Sequence, residues 1–352
     1  MKNEKLSVFV IGGGASGLAA AIYAARAGAS VTILEKEKKP GKKLLRTGNG
    51  RCNLANLGTL DGVFHGTHPE FASKVLKNYP REELLAFFEE IGVHTRDYDG
   101  WLYPASESAD SVLACLQIAC EALCVRIRTN ICVKGIRKEG GHFLIDVGTY
   151  VYTADRVILA SGSNASLEHP GENEPLLIAA AFGHRIVPLH PALVPLSALE
   201  AASLRFAGVR VRGRIRFYAD GRLFHEESGQ LQFTEYGISG IPVFNGSSEA
   251  LTALSAGKKV TAKADLFPDM PEEVFISYLK ERFERLTDRK PEARLRGLIP
   301  DRLIPAVTAG CEGPEDTAFR IKHFPMTITG SRGPGAAQVM AGGVDTDEID
   351  LL

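Results

Sequence analysis

Gly12-Gly13-Gly14-Ala15-Ser16-Gly17 satisfies the spacing Gly-x-Gly-x-x-Gly directly after an apolar run, Ser7 to Ile11. Glycine at those positions permits a tight turn at Gly12, close approach of a diphosphate at Gly14, and helix-on-strand packing at Gly17. The amides of Ala15 and Ser16 would open a helix whose N-terminal N–H groups and dipole favour an anion. Glu35 follows the next apolar run, Val31 to Leu34. There a carboxylate accepts from a ribose hydroxyl and disfavours a 2′-phosphate. Such a glycine pattern alone is equally a plain turn. With a strand before it, a helix after it and the acid at the right distance, dinucleotide binding is the reading.

A second group lies in "LLRTGNGRCNLAN", residues 44 to 56, behind a lysine-rich run. The charges of Lys36, Lys38 and Lys39 are those of a solvated face, while Lys43, Arg46 and Arg51 flank Thr47, Gly48, Asn49, Gly50 and Asn53. Amide and guanidinium donors could converge there on an anion or a ring edge, and glycine lets the backbone approach a planar molecule. Cys52 has no second cysteine at the four-residue spacing of a redox pair, because Asn56 stands there. It is expected to be a packed loop residue rather than a reactive thiol. Cys115, Cys120 and Cys124 fall on an apolar helix face and read as core. His65 and His68 form an HxxH with no nearby carboxylate or cysteine to complete a shell, so no metal site is expected. No residue is assigned as acid or base; Tyr236 is the weak candidate, and an ordinary buried tyrosine explains it as well.

The elements that must hold these groups follow from periodicity. A strand at Ser7 to Ile11, a helix from Ala15 to Ala27 stopped by Gly28, and a strand at Val31 to Leu34 make a βαβ unit. Helices are expected in "HPEFASKVLKNY", in "PREELLAFFEEIG" and over Ala109 to Leu123 with Ser108 as N-cap. "GIRKEGGHFLIDV" reads as a hairpin, and "YVYTADRVILASGS" as one buried strand. A second hairpin turns at Asp220-Gly221, and "MPEEVFISYLKERFERL" is an amphipathic helix. "GSRGPG", residues 330 to 335, has no helix after it and reads as a turn.

A chain of 352 residues is long enough for two domains, and 45% hydrophobic with 24% charged residues is a globular balance. The formal net charge of −1 offers no global attraction for nucleic acid or an anionic membrane, so a small molecule is the expected partner. No apolar run reaches the roughly 20 residues of a membrane span. Without an export signal, six scattered cysteines read as reduced thiols of a cytoplasmic protein. The oligomeric state is left open.

"GKKLLRTGNGRCNLAN", "LYPASESADSVL", "PALVPL", "LQFTEYGISGIPV" and "AQVMAGGV" occur in this order. Together they resemble a bacterial family of FAD-dependent flavoproteins that includes aminoacetone oxidase and 3-dehydro-bile acid Δ4,6-reductase. The resemblance covers nearly the whole chain. It implies an α/β fold: a Rossmann-type, glutathione-reductase-like FAD domain over 1–189, completed by 326–352, with an inserted mixed β/α substrate domain over 190–325. It also implies that the GNGRCN loop, with Cys52, runs beside the flavin and that Val133 bounds the adenine. Ala160, Ser161 and Gly162, and then Gly342 and Gly343, would pass near the cofactor. The implied activity is hydride transfer between flavin N5 and a small organic substrate. The leading form is reduction of a conjugated C=C bond with NADH or NADPH as donor. The alternatives are an amine oxidase using O2 and a non-catalytic nucleotide-holding scaffold. Three departures stand out: Ala160-Ser161-Gly162-Ser163 replaces Ala-Thr-Gly-Gly, "NASLEHPGENEPLLIAAAFGH" lacks a GSTGDG-like turn, and the sequence runs only to Leu352. Family members continue there with a strand and a helix facing the flavin, so either the chain is truncated or flavin binding is weakened.

Overall fold

The structure, a computed structural model, describes residues 5–59, 63–166, 174–200 and 207–351. The chain forms two compact units. The first holds the chain to Ser163, the stretch ending at Val187 and the tail from Gly343; the second holds Pro188–Gly342 and the short stretch beginning at Asn164.

The first unit is built on a four-stranded parallel sheet. Its strands are β1 (Ser7–Ile11), β2 (Ser30–Leu34), β3 (Arg126–Arg128) and β4 (Arg156–Leu159), in the order β4-β1-β2-β3. After their leading serines β1 and β2 are buried along their length, Thr32 included, because both faces are covered, as parallel sheets require. Helix α1 (Ala15–Arg26) presses Gly17, Leu18, Ala21 and Ile22 onto the sheet, one helical stripe in which Gly17 and Ala21 let the axis come close. It stops where Gly28 takes φ 92°, a left-handed value open to glycine. On the same side, helix α2 (Ala109–Ala122) begins at Ser108, whose hydroxyl accepts from the Ser111 amide at 3.4 Å. Cys120 and Val112 of α2 are fully buried and share one core cluster with α1, and Cys115 packs against it. The other face carries an antiparallel meander, Gly135–Glu139, His142–Asp146 and Val151–Ala154.

One expected strand is in fact two. "YVYTADRVIL" breaks at Asp155, whose amide donates to Ser7 O at 2.9 Å and whose carboxylate accepts from the Ser7 amide at 2.7 Å. The segment before the break joins the meander and the segment after it becomes β4.

The second unit is a closed six-stranded barrel. Its strands are β5 (Leu196–Ala198), β6 (Arg210–Ala219), β7 (Arg222–Phe233), β8 (Gly237–Ser239), β9 (Val260–Asp265) and β10 (Phe324–Ser331), in the order β5-β8-β7-β6-β9-β10. Closure leaves no open sheet edge. The sequence reading returned residues from 326 onward to the first domain, whereas β10 pairs with β9 and β5 inside the barrel. Helix α3 (Ile241–Ser255) packs Val243, Gly246, Ser247, Ala250 and Leu251 against the core. Lys322 and Asp265, both almost fully buried, pair at 2.7 Å, and the ammonium also donates to the carbonyls of Phe267 and Met270. Every proton of that lysine therefore has an acceptor, the condition under which a buried charge is tolerated.

Candidate cofactor site in the first unit

The glycine turn is closed on itself. The Gly12 amide donates to Leu34 O and the Ala160 amide to Ile11 O, both at 2.8 Å, which draws the ends of β1, β2 and β4 together. A Cβ at Gly12 would stand 2.5 Å from Ala160 O, and one at Gly17 would stand 1.9 Å from Gly12 O. Neither position has room for a methyl group. Gly14 is the opposite case, with nothing within 4 Å of its would-be Cβ. Ala15 and Ser16 beside it are exposed, and the first intrahelical bond recorded here runs from the Leu18 amide to Gly14 O at 2.9 Å. The first amides of α1 thus face open space, as an anion site needs.

Glu35 is buried, 8% exposed, and is no solvated strand-end charge. Its Oε2 accepts from the Gly13 amide at 2.6 Å and its Oε1 from the Glu37 amide at 2.8 Å. The carboxylate therefore ties the glycine turn to the end of β2 while each oxygen keeps a further lone pair for a hydroxyl. A recess opens beside it, walled by Gly12, Glu35, Lys36, Cys132, Val133 and Ser161, and by Pro175 and Ile178 of the helix Glu174–Ala181. Ser161 Oγ is buried there without a partner among the described residues. An orphan hydroxyl of this kind is costly unless something pairs with it, and a ribose hydroxyl or phosphate oxygen would. The sequence reading missed Ile178 and Pro175; their signal was the apolar "PLLI" that replaces the usual glycine turn.

The GNGRCN loop is more ordered than its composition suggests. Residues Leu44–Gly50 wind as a 3-10 turn interrupted at Thr47, after which Gly48 and Asn49 both take φ 55°. At Gly48 a Cβ would lie 2.8 Å from the Asn53 amide nitrogen, so the crossing requires glycine. Thr47 Oγ1 donates to Leu44 O at 2.6 Å, and the Gly41 amide binds Gly13 O at 2.9 Å, fixing the loop to the glycine turn. Cys52 and Leu44 insert into the core of the first unit. Burial pushes the Cys52 thiol pKa up, against a smaller opposing pull from Thr47. Arg51 is engaged by protein: its guanidinium lies 4.5 Å from the Tyr103 ring centre and faces Glu107 at 3.9 Å. Arg46, Thr47 and Asn49 are exposed, and Gly50 and Asn53 half-buried. Lys43 donates to Ser163 O beside Gly162, and burial, reinforced by the like charge of Lys36, lowers its pKa. Gly342 and Gly343 lie in the strand Val339–Val344 with φ 89° and 128°.

His68 corrects the expectation that no carboxylate stands near the HxxH pair. Its ring nitrogens lie 3.6 Å from Glu70 and 3.3 Å from Asp347, and Asp345 joins them, with one ligand atom of each of His68, Asp345 and Asp347 within 4.8 Å. A carboxylate two residues away was overlooked, and two more come from the far end of the chain. Asp345 is already held by the Asp347 amide at 3.1 Å and by Arg185 at 2.8 Å, and these keep its carboxyl below the usual range. The group is a network of ion pairs and hydrogen bonds.

Against this geometry, residues 6–351 match the family described as HI0933-like protein Rossmann domain. The chain belongs to that family. It is 37% identical to the 3-dehydro-bile acid delta(4,6)-reductase of Clostridium scindens, over 97% of this chain and 87% of that protein. It is also 27% identical to the ribosomal RNA dihydrouridine synthase of Escherichia coli, over 98% of this chain and 87% of that one. The synthase of the same name from Haemophilus influenzae is 26% identical over 97% and 86%. The chain is an FAD-dependent oxidoreductase with a Rossmann-like fold.

Proposed function

We propose that this HI0933-like protein reduces a C=C bond conjugated to a carbonyl in a small organic substrate, with NADH or NADPH as the electron source. The observation that carries the cofactor half is the cradle of the first unit: exposed amides at the start of α1, the open space at Gly14 and the unpaired Ser161 Oγ. These fit a dinucleotide. The α1 amides, with Gly14, would receive the diphosphate, Glu35 and Ser161 the ribose, and Val133 and Ile178 would wall the adenine. Lys43, Arg46, Thr47, Asn49 and Asn53 would line the length of the cofactor along the loop. Bound there, the flavin supplies the hydride-transferring centre. Cys52, buried and held as a thiol, shapes the loop and takes no part in electron transfer.

The reaction half is supported by the relatives' names. One relative is named a 3-dehydro-bile acid delta(4,6)-reductase and another a ribosomal RNA dihydrouridine synthase, and both names denote a reduction of the substrate. Anaerobic turnover tests it. NADH or NADPH consumption that depends on an added 3-oxo-4-ene steroid is the expected result. Oxygen uptake driven by aminoacetone, with no turnover of the enone, would replace the reductase by an amine oxidase.

A further inference from the structure

The exit of the GNGRCN loop is clamped by a small sheet. Ala55–Asn56, Trp101–Pro104 and Thr95–Tyr98 pair as three antiparallel strands, and the Leu54 amide donates to Leu102 O at 2.8 Å. This pairing brings Tyr103 against the crossing at Gly48, where a Cβ would meet its ring at 2.9 Å. The Arg51 guanidinium stands 4.5 Å from the centre of the same ring. Tyr98 meets Tyr103 edge-on, and its hydroxyl donates to Glu107 Oε1. Glu107 itself holds φ 49°, a left-handed value strained for any residue with a side chain. Its Oε2 stops 3.9 Å from Arg51 Nη1, too far for a hydrogen bond. Tyr103 and Glu107 thus fix the guanidinium in place, yet none of its five N–H groups has a protein acceptor among the described residues. With 43% of the side chain exposed, those donors are open to a ligand.

What they meet follows from the cradle. The recess beside Glu35 contains no residue of the loop, so the adenosine half of a dinucleotide lies away from it. The loop is tied to the glycine turn through the Gly41 amide. A cofactor that crosses the first amides of α1 therefore carries its flavin half along residues 44–53.

We propose that Arg51 binds the carbonyl oxygen of the substrate and stabilises the enolate formed during reduction. The inference rests on the conjugate-reduction reading above. Hydride, bringing two electrons that originate in NADH or NADPH, forms a C–H bond at the alkene carbon remote from the carbonyl. The C=C pair shifts toward the carbonyl, and the oxygen takes the negative charge. A proton from water at the carbon next to the carbonyl completes the reduction. That charge appears only as hydride arrives, so a donor already fixed there favours the transition state over the bound enone. Glu107 is a positioning residue, holding the fork without occupying it.

Phenol binding to the FAD-loaded protein tests this without turnover. A phenolate stacked on oxidised flavin gives a long-wavelength charge-transfer absorbance, and a cation at its oxygen favours phenolate over phenol. Titration with 4-chlorophenol at neutral pH should raise that band in the wild type. Arg51→Gln should lose the band and bind the phenol at least about tenfold more weakly, with FAD affinity within about twofold of wild type. Arg51→Lys, which keeps the charge but not the fork, should restore part of the band. With a 3-oxo-4-ene steroid, Arg51→Gln should lower kcat about 100-fold with a smaller change in KM. No band in the wild type, or a band and an enone kcat unchanged in Arg51→Gln, would overturn the proposal and leave the reductase reading standing. FAD affinity lost in step with the band would make Arg51 a cofactor ligand instead. A wild type that shows the band but reduces no enone would sink the reductase reading, and the enolate role with it.

Discussion

At the scale of single residues, Gly14 differs from the two glycines that flank it in the motif. Gly12 and Gly17 are held by contacts inside the protein, whereas a methyl group at Gly14 meets nothing. Gly14→Ala should therefore leave the melting temperature of the apoprotein within a degree or two, while FAD affinity falls at least tenfold because the methyl occupies the diphosphate's place. Thermal melts beside FAD titrations check this; equal loss of both would make Gly14 another packing glycine. Cys52 gives the complementary case. Cys52→Ser puts a hydroxyl into an apolar cluster and should cost about 1–3 kcal/mol of stability by denaturant unfolding. The reductase rate should keep its pH profile, since burial pushes the thiol pKa up and the thiol takes no part in the reaction. The sequence singled out Gly14 by its spacing and Cys52 by its missing partner, and the structure leaves the first open and the second buried. Glu35 was only half legible: its position pointed to a ribose, but its two backbone bonds depend on where the chain folds back.

At the scale of elements, local patterns carried as far as their periods did. The βαβ unit, the two hairpins and the helix after Ser108 stand where periodicity put them. α3 was not legible, and the reason is its composition. "NGSSEA" holds glycine and serine, poor helix formers, in a helix whose buried stripe must lie tight on the barrel. A Cβ at Gly246 would fall 2.6 Å from the His225 ring and 2.9 Å from Phe217. Gly246→Ala thus sets a propensity gain of about 1 kcal/mol against an overpacking cost of about 1–3 kcal/mol. The clash should win, and the variant should unfold at lower denaturant concentration; a more stable variant would mean that the ring moves aside freely. The split at Asp155 was hidden for another reason. Both halves of "YVYTADRVIL" are apolar and extended, and only the long-range bonds to Ser7 send them to different sheets.

At the scale of the whole molecule, the sequence pointed to a second unit but not to a closed barrel. Closure is set by which strands pair across more than a hundred residues, as β5 does with β10, and no local pattern encodes that. The same distance hid the carboxylates that reach His68. What the family resemblance added was the cofactor, and that is the claim on which the functional account depends. The measurement that tests it most directly is a visible-absorbance titration of the apoprotein with FAD, followed by anaerobic addition of NADH or NADPH. The account predicts stoichiometric uptake, with a yellow protein whose flavin absorbance bleaches on addition of the nicotinamide. A protein that stays colourless after FAD at micromolar excess would contradict it.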